Sequence, residues 1–227
     1  MIQKHIRTIR SFVKREGRLT HGQQQAIDSQ WPKFGVDYSE KNLDLSTLFN
    51  RDAEIILEIG FGNGDSLWQM AQAHPEKNYF GIEVHRPGLG HLLRLVENSN
   101  CENIRLSNKD AIDVLEHQLA DNCIDRLQLF FPDPWHKKKH NKRRIVQEKF
   151  LKQVARILKP GGIFHLATDW EDYAMHMLKT LNSSPLFINL SKDNTFVPKP
   201  EERPTTKFEK RGQRLGHGVW DLMFQKK

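Results

Sequence analysis

The chain has 227 residues, of which 37% are hydrophobic and 28% charged, and its 35 Lys and Arg outnumber its 28 Asp and Glu, for a net charge of +7. This length and composition suit one folded domain and exclude a disordered chain or a miniature scaffold. No apolar run approaches the roughly 18 residues of a membrane-spanning helix, and Cys101 and Cys123 are too few for a disulfide framework. We therefore expect a cytoplasmic protein in a reducing compartment.

Beyond a polar stretch rich in turn residues, which ends near Asp52, strand and helix patterns alternate along the chain. Short apolar runs predict strands at 55–59, 79–84, 104–106, 124–131 and 163–168, with two more near 187–190 and 219–224. Helical periodicity predicts helices at 66–73, 87–98, 111–119, 145–158 and 173–181, and the Lys-Pro-Gly-Gly run at 159–162 predicts a stop after the fourth of these. Five successive βα repeats predict an α/β fold with a doubly wound, mostly parallel sheet.

The basic charge is concentrated in two short segments. Residues 1–18 carry a net charge of +5 and residues 137–144 carry +6, which leaves −4 on the rest of the chain. A run of cations is often no more than a solvated face. Two such runs on an acidic body favour a polyanion partner, most naturally a nucleic acid. We divide the chain into a basic N-terminal arm, residues 1–35, and a domain of residues 36–227.

The first predicted strand leads into a glycine-rich loop that contains Gly60, Gly62 and Gly64. Glycines in a strand-to-helix turn allow positive φ and close approach of a ligand to the backbone. A dinucleotide-binding loop would have its third glycine at Asp65, where an acid opposes a pyrophosphate, so the spacing argues against an NAD-dependent oxidoreductase. Glu58 instead suits a cationic ligand such as S-adenosylmethionine. The alternative is a tight turn without a ligand.

Two more acids end the next two predicted strands. Glu83 follows the second strand, at the position where NAD enzymes bind ribose hydroxyls with a carboxylate. Asp110 follows the third strand, where it is able to accept a hydrogen bond from an adenine amino group. Asp110 would also make a good helix N-cap, and either acid alone could be a solvated residue. Three acids at successive strand ends favour a cofactor site.

The fourth predicted strand ends in Phe131-Pro132-Asp133-Pro134-Trp135, directly before the second basic segment. Two prolines hold Asp133 in a rigid turn and lower the entropy cost of positioning its carboxylate. Trp135 offers a face on which a base could stack. The alternative is a rigid loop whose tryptophan packs against the domain. The adjacent cations favour a base pocket beside a phosphate track.

These residues resemble the bacterial tRNA (guanine-N7)-methyltransferases, which are class I S-adenosylmethionine enzymes that modify guanine 46 in the variable loop of tRNA. The resemblance covers nearly the whole chain. The Pro-Asp-Pro-Trp element joined to a Lys/Arg/His run is specific to this family, whereas the glycine loop and the Lys-Pro-Gly-Gly run are shared by many methyltransferases. The matching segments are 10–13, 17–20, 58–64, 131–144, 206–209 and 216–220.

The resemblance implies a Rossmann-like class I methyltransferase fold and a role for each matching residue. S-adenosylmethionine is the implied cofactor and tRNA the implied partner, with the protein a monomer or homodimer and the monomer favoured. Asp133 is implied to be catalytic and to line the cofactor site. The implied cofactor site also contains Glu58, Gly60, Gly62, Gly64, Glu83 and Asp110. The implied substrate contacts are Lys137, Asp169, Thr206, Lys207, Phe208 and Glu209. The implied RNA contacts are Lys139, His140, Asn141, Lys142, Arg143 and Arg144.

Some alternatives remain open from the sequence. The segment 206–209 could contact the methionine end of the cofactor instead of the guanine. Asp169 or Glu209 could accept hydrogen bonds from guanine N1–H and N2–H, a donor pair that adenine lacks. A non-enzymatic RNA-binding protein with the same fold is the main rival function. A metal site at His136 and His140 is not expected, because lysines flank both and no third ligand is evident.

Overall fold

The computed structural model describes residues 17–206, 209 and 218–227. The strands are β1 (Ile55–Ile59), β2 (Asn78–Ile82), β3 (Ile104–Ser107), β4 (Ile124–Phe130), β5 (Leu158–Thr168), β6 (Phe187–Asn189) and β7 (Trp220–Lys226). The helices are α1 (His21–Phe34), α2 (Leu45–Phe49), α3 (Asp65–Ala73), α4 (Arg86–Glu97), α5 (Ala111–His117), α6 (Glu148–Ile157) and α7 (Glu171–Asn182), and a 3-10 helix spans Lys138–Arg143. Residues 1–16 of the arm predicted at 1–35 lie outside these residues, and the division at residue 35 stays a prediction.

The described strands form one sheet in the order β3-β2-β1-β4-β5-β7-β6. Strands β1 to β5 pair in parallel, whereas β7 lies antiparallel between β5 and β6. The predicted doubly wound, mostly parallel α/β fold is therefore confirmed. The strand order reverses between β1 and β4, and ligands of such sheets bind beside the strand ends at this switch point. The glycine loop follows β1 and the 131–135 turn follows β4, so the topology places them side by side.

Helices cover both faces of the sheet, and this explains why most residues of the central strands are buried. Leu57 and Phe80 lie in a cluster with residues of α5, α6 and α7. Ile56 and Tyr79 lie in a second cluster with residues of α1, α3 and α4. Of the described helices, none is both long and apolar enough to cross a membrane.

Helices α1 and α2 occupy the stretch before Asp52 that the sequence pattern suggested was polar and turn-rich. The sequence of α1 has few apolar residues at helical spacing, and only Ala26 and Phe34 are buried. A capping box between Thr20 and Gln23 starts the helix and is the sequence signal that marks it. The side chain of Gln23 also donates to the Pro87 carbonyl at 3.0 Å, which attaches α1 to α4.

The structure corrects the start of the helix predicted at 145–158 and the start of the strand predicted at 163–168, although the helix does end before the Lys-Pro-Gly-Gly run. Helix α6 begins at Glu148, and β5 begins at Leu158, the last residue of the predicted helix, because Leu158 pairs with Ile124. The next pair joins Ile163 to Arg126, so the Pro-Gly-Gly residues form an irregularity within β5. Local chemistry favours a turn at such residues, but pairing with β4 extends the strand across them.

Candidate active site

A cleft with two connected halves lies at the carboxyl edge of the sheet, beside β1 and β4. One half has a volume of about 260 Å³ and is lined by Glu83, Asp110 and Asp133. The other has a volume of about 360 Å³ and is lined by Glu58 and Thr206. Both halves share residues of the glycine loop and of the turn after β4. The fold thus brings the predicted cofactor residues and the predicted catalytic aspartate together.

The three glycines of the loop have distinct steric surroundings. Gly60, Gly62 and Gly64 have φ values of 76°, 60° and 79°, in the left-handed region that favours glycine. A Cβ at Gly60 or Gly62 would meet nothing within 4 Å, so both positions border open space. A Cβ at Gly64 would lie 2.8 Å from Leu92 of α4. Gly60 and Gly62 therefore leave room at the cleft, and Gly64 allows the loop to pack against α4.

Gly88 is a fourth glycine of this site that the sequence pattern did not reveal. It lies in the first turn of α4, and a Cβ there would lie 2.0 Å from the carbonyl oxygen of Gly62. No sequence spacing connects a helix residue to a loop that precedes it by 26 residues. The missing Cβ lets α4 support the glycine loop directly.

Gly88→Ala is expected to destabilise the protein by about 1–3 kcal/mol and to weaken cofactor binding, because the new methyl group displaces the Gly62 peptide. Gly22→Ala is the matched control, since Gly22 also lies in the first turn of a helix but a Cβ there would be 3.7 Å from its nearest neighbour. Gly22→Ala should stabilise α1 by about 0.5–1 kcal/mol. Urea unfolding and cofactor titration of both variants check this, and equal effects of the two would contradict it.

Glu83 joins the end of β2 to the glycine loop. One carboxylate oxygen accepts from the Gly62 N–H at 2.8 Å and the other from the His85 N–H at 2.8 Å. Burial raises the pKa of Glu83, and these two hydrogen bonds partly oppose the increase. Glu83 therefore orients the loop as well as lining the cleft.

Asp110 serves as the N-cap of α5, as its position in the sequence suggested. Its carboxylate accepts from the Ile112 N–H at 3.1 Å. The same residue lines the smaller half of the cleft. Capping and a place in the cleft are compatible, because the cap holds the carboxylate at the strand end.

Glu58 lies deep in the cleft, and the residue is only 3% exposed. Its Oε2 has no hydrogen-bond partner in the part of the chain that the structure describes. Burial, reinforced by the charge of Glu83, raises the pKa of Glu58 to about 8. A buried acid with an unsatisfied oxygen fits a cationic ligand that would complete its hydrogen bonding.

Asp133 is an exposed residue of the turn after β4, between Pro132 and Pro134. The two aromatic residues that flank this unit, Phe131 and Trp135, have φ values of 50° and 49°. Bulky residues rarely adopt this conformation, so the surrounding structure must hold the turn. Asp133 lines the same half of the cleft as Glu83 and Asp110, and the basic segment begins four residues further along the chain.

The basic segment after this turn forms the 3-10 helix Lys138–Arg143. Lys137, Lys138, Lys139 and Lys142 are exposed. The Arg143 guanidinium lies 4.0 Å from the centroid of the Trp135 ring, so it covers one face that was predicted to stack on a base. Arg144 differs from the others because it is buried, at 3% exposed. The burial of Arg144 conflicts with the RNA contact that was predicted for it, whereas the exposed lysines are accessible to RNA.

Arg203 directly precedes the C-terminal residues that line the cleft, and its role was not identified from the sequence. It is buried and donates to Asp221 of β7 at 2.7 and 2.8 Å and to Glu209 at 2.7 Å. Lys199 also donates to Glu209, at 3.0 Å. The predicted substrate residue Glu209 therefore pairs with cations of its own chain, and Thr206 lies in the half of the cleft that contains Glu58.

The remaining predicted substrate residues lie apart from the cleft lining or outside the described residues. Asp169 follows β5 at the same carboxyl edge of the sheet. Lys137 directly precedes the 3-10 helix. Lys207 and Phe208 lie outside the described residues. The described part of the chain contains no group of three or more His, Cys, Asp or Glu residues arranged to hold a metal ion.

The doubly wound sheet, the glycine loop and the acids at successive strand ends define a class I methyltransferase. Solved structures support this fold. A 16S rRNA methyltransferase named KamB aligns with a TM-score of 0.59 at 13% identity over 86% of this chain and 99% of its own. A 16S rRNA (adenine(1408)-N(1))-methyltransferase from Catenulisporales acidiphilia, solved with its cosubstrate S-adenosylmethionine, aligns with a TM-score of 0.55 at 15% identity over 84% of this chain and 92% of its own.

Sequence comparison then identifies the family. A family model described as "Putative methyltransferase" matches residues 52–222. The tRNA (guanine-N(7)-)-methyltransferase of Shewanella putrefaciens is 59% identical over 98% of this chain and 94% of its own length. That of Hydrogenovibrio crunogenus is 55% identical over 99% and 94%. The chain belongs to the family of tRNA (guanine-N7-)-methyltransferases.

Proposed function

We propose that the protein transfers the methyl group of S-adenosylmethionine to N7 of guanine in tRNA, and that the target is guanine 46 of the variable loop. The observation that carries this proposal is the position of Asp133. It lies where the acidic cleft meets the exposed basic segment. A carboxylate at this junction is within reach of both a cofactor in the cleft and a base delivered by RNA bound to the lysines.

The residues of the cleft suit S-adenosylmethionine. Glu58 would hold the ammonium group, Glu83 the ribose hydroxyls and Asp110 the adenine amino group. The open space beside Gly60 and Gly62 would admit the ligand to the backbone. When bound, this cofactor supplies a methyl group on a positively charged sulfur. The unsatisfied oxygen of buried Glu58 supports a cationic occupant more directly than any other feature of the cleft.

The proposed methyl transfer does not require a general base. Guanine N7 carries a lone pair in the plane of the ring and needs no base to become a nucleophile. Positioning of the two reactants should therefore dominate the rate enhancement. The base becomes cationic as the methyl group arrives, and a fixed carboxylate at Asp133 would stabilise the developing charge.

Guanine selectivity would come from a second carboxylate. Guanine presents N1–H and N2–H as adjacent donors, whereas adenine does not. Glu209 is already paired with Arg203 and Lys199. This leaves Asp169, at the carboxyl edge of β5, as the better candidate of the two. The target base would have to leave the folded core of tRNA, at a cost of a few kcal/mol that contacts with the basic segment offset.

Mass analysis of nucleosides from tRNA incubated with the protein and S-adenosylmethionine tests the function. We expect 7-methylguanosine in wild-type transcript and none in a transcript with adenosine at position 46. A transcript with a different guanine replaced is the control and should be methylated normally. Methylation of another atom or another position would refute the proposal, as would tRNA binding without methylation.

Replacing Lys138, Lys139 and Lys142 with alanine should flatten the dependence of log affinity for tRNA on log salt concentration by about two to three units, at about 0.7–0.9 per phosphate contact. All three lysines are exposed, so their replacement leaves the core intact. Filter binding at several salt concentrations measures the slope. Replacing Lys41, Lys152 and Lys227 changes the net charge equally and should leave the slope nearly unchanged. A similar slope for both triple variants would place the RNA elsewhere.

A further inference from the structure

The basic segment ends in two adjacent arginines with different surroundings, since Arg143 lies over Trp135 whereas Arg144 is buried. We propose that Arg144 is a positioning residue that holds the Asp133 turn in its active geometry, and that it does not contact RNA. This inference rests on the proposed function, because it assigns Arg144 a part in the methyl transfer. It separates Arg144 from the cations that precede it in the sequence.

The Arg144 side chain is only 2% exposed and has a partner on each side of its guanidinium. Its Nε donates to the carbonyl oxygen of Pro134 at 2.9 Å. Its Nη2 donates to the carboxylate of Asp172, in the first turn of α7. The guanidinium also lies over the ring of Tyr173, 4.8 Å from the centroid. A phosphate could reach this group only by displacing these contacts.

Pro134 is the residue directly after Asp133, so its carbonyl is part of the turn that carries the carboxylate. The turn needs such support, because Phe131 and Trp135 both have positive φ values. On its first side, the Phe131 N–H donates to the Ala167 carbonyl of β5 at 2.8 Å. Arg144 holds its second side against α7. The turn is thus fixed to β5 at one end and to α7 at the other.

The contacts of Arg144 require a guanidinium. Nε and Nη2 are separate donors on one rigid plane, and the same plane stacks on the Tyr173 ring. A lysine would keep the charge, but its single ammonium group could not hold the Pro134 carbonyl and the Asp172 carboxylate in the same geometry. Arg144→Lys should therefore loosen the turn while preserving the charge of the segment.

The neighbouring Arg143 offers a matched comparison. It is half-buried and lies over the Trp135 ring. The same change at each position, Arg143→Gln and Arg144→Gln, removes one charge and keeps a polar side chain. We expect Arg144→Gln to lower kcat by about 10-fold or more, because small displacements of a catalytic group have large effects on rate. Its salt slope for tRNA binding should match wild type, whereas Arg143→Gln should lose about 0.7–0.9 units.

Arg144→Lys provides a second variant if Arg144→Gln does not fold. Methyl transfer is measured at saturating tRNA and cofactor, below the unfolding temperature of each variant. We expect Arg144→Lys to lower kcat about 10-fold with an unchanged KM for tRNA, and to have little further effect when Asp133 is already asparagine. A general structural role would instead give the same loss in both backgrounds.

Three results would overturn the assignment of Arg144. These are a normal kcat for Arg144→Lys, a salt slope for Arg144→Gln that falls as far as that of Arg143→Gln, and an equal loss with and without Asp133. If the wild-type enzyme is active and any of these three results is obtained, the assignment of Arg144 is refuted and the proposed function is not. A wild-type protein that does not methylate guanine N7 refutes the proposed function instead.

Discussion

Replacing Asp133 with asparagine should lower kcat for tRNA methylation by about 100-fold or more, with smaller changes in the KM values for tRNA and the cofactor. Asparagine keeps the size of the side chain and the turn between the two prolines, but it removes the negative charge that would stabilise the cationic base. Loss of one preorganised electrostatic contact commonly has an effect of this size. Steady-state assays with radiolabelled methyl donor measure it.

The control for this prediction is Asp193→Asn, which makes the same chemical change at an exposed residue of the turn after β6. That variant should retain the wild-type rate. If Asp133→Asn remained within about twofold of wild type, Asp133 would not stabilise the transition state, and positioning by other residues would have to account for catalysis.

Glu58→Gln should have a large effect on both stability and cofactor binding, because Glu58 is both buried and titratable. Burial and the charge of Glu83 raise the pKa of Glu58 from 4.5 to about 8. The fold thus prefers the protonated acid, and the free protein loses stability as pH rises from about 4.5 towards 8. Glutamine does not ionise, so Glu58→Gln should be more stable than wild type at pH 8.5, by on the order of 5 kcal/mol, and similar to it at pH 4.5.

The same substitution should have the opposite effect on cofactor binding. A cationic ligand favours the ionised carboxylate, so wild-type affinity should rise between pH 6 and 8 with release of a proton. Glu58→Gln should bind S-adenosylmethionine about 10- to 100-fold more weakly at pH 8 and lose this pH dependence. Urea unfolding and calorimetric titration at several pH values measure both effects. The exposed Glu148→Gln is the control and should change neither.

A stability difference that did not depend on pH would contradict the pKa assigned to Glu58. Equal cofactor affinity of Glu58→Gln and wild type would mean that the ammonium group binds elsewhere in the cleft. The two measurements are independent, since the first uses the free protein and the second requires the ligand.

Much of the fold was predictable, because most of its elements have strong local patterns. The central strands contain short apolar runs that end at or near Gly, Asp or Pro, and the helices between them are periodic. Helix α1 was missed because packing against α4 stabilises it, although only Ala26 and Phe34 are buried. The start of β5 was missed because pairing of Leu158 with Ile124 outweighs the local preference of Pro-Gly-Gly for a turn.

Part of the candidate site was also predictable from the sequence. Glu58, Glu83, Asp110 and Asp133 all follow or end strands, and parallel strands bring their carboxyl ends to one edge of the sheet. Gly88 and Arg203 were not predictable, because their roles depend on contacts with residues far away in the sequence. Gly88 packs against the Gly62 carbonyl, and Arg203 donates hydrogen bonds to Asp221 and Glu209.

The sequence by itself determined the distribution of charge, with two basic segments and a net negative charge on the rest of the chain, and the identity of the acids at the strand ends. Only the tertiary structure decided which charges face solvent. Lys138, Lys139 and Lys142 are exposed, while Arg144 of the same run is buried against α7. The reason is physical: a residue's charge follows from its side chain alone, but its burial and partners depend on distant segments that only folding brings into contact.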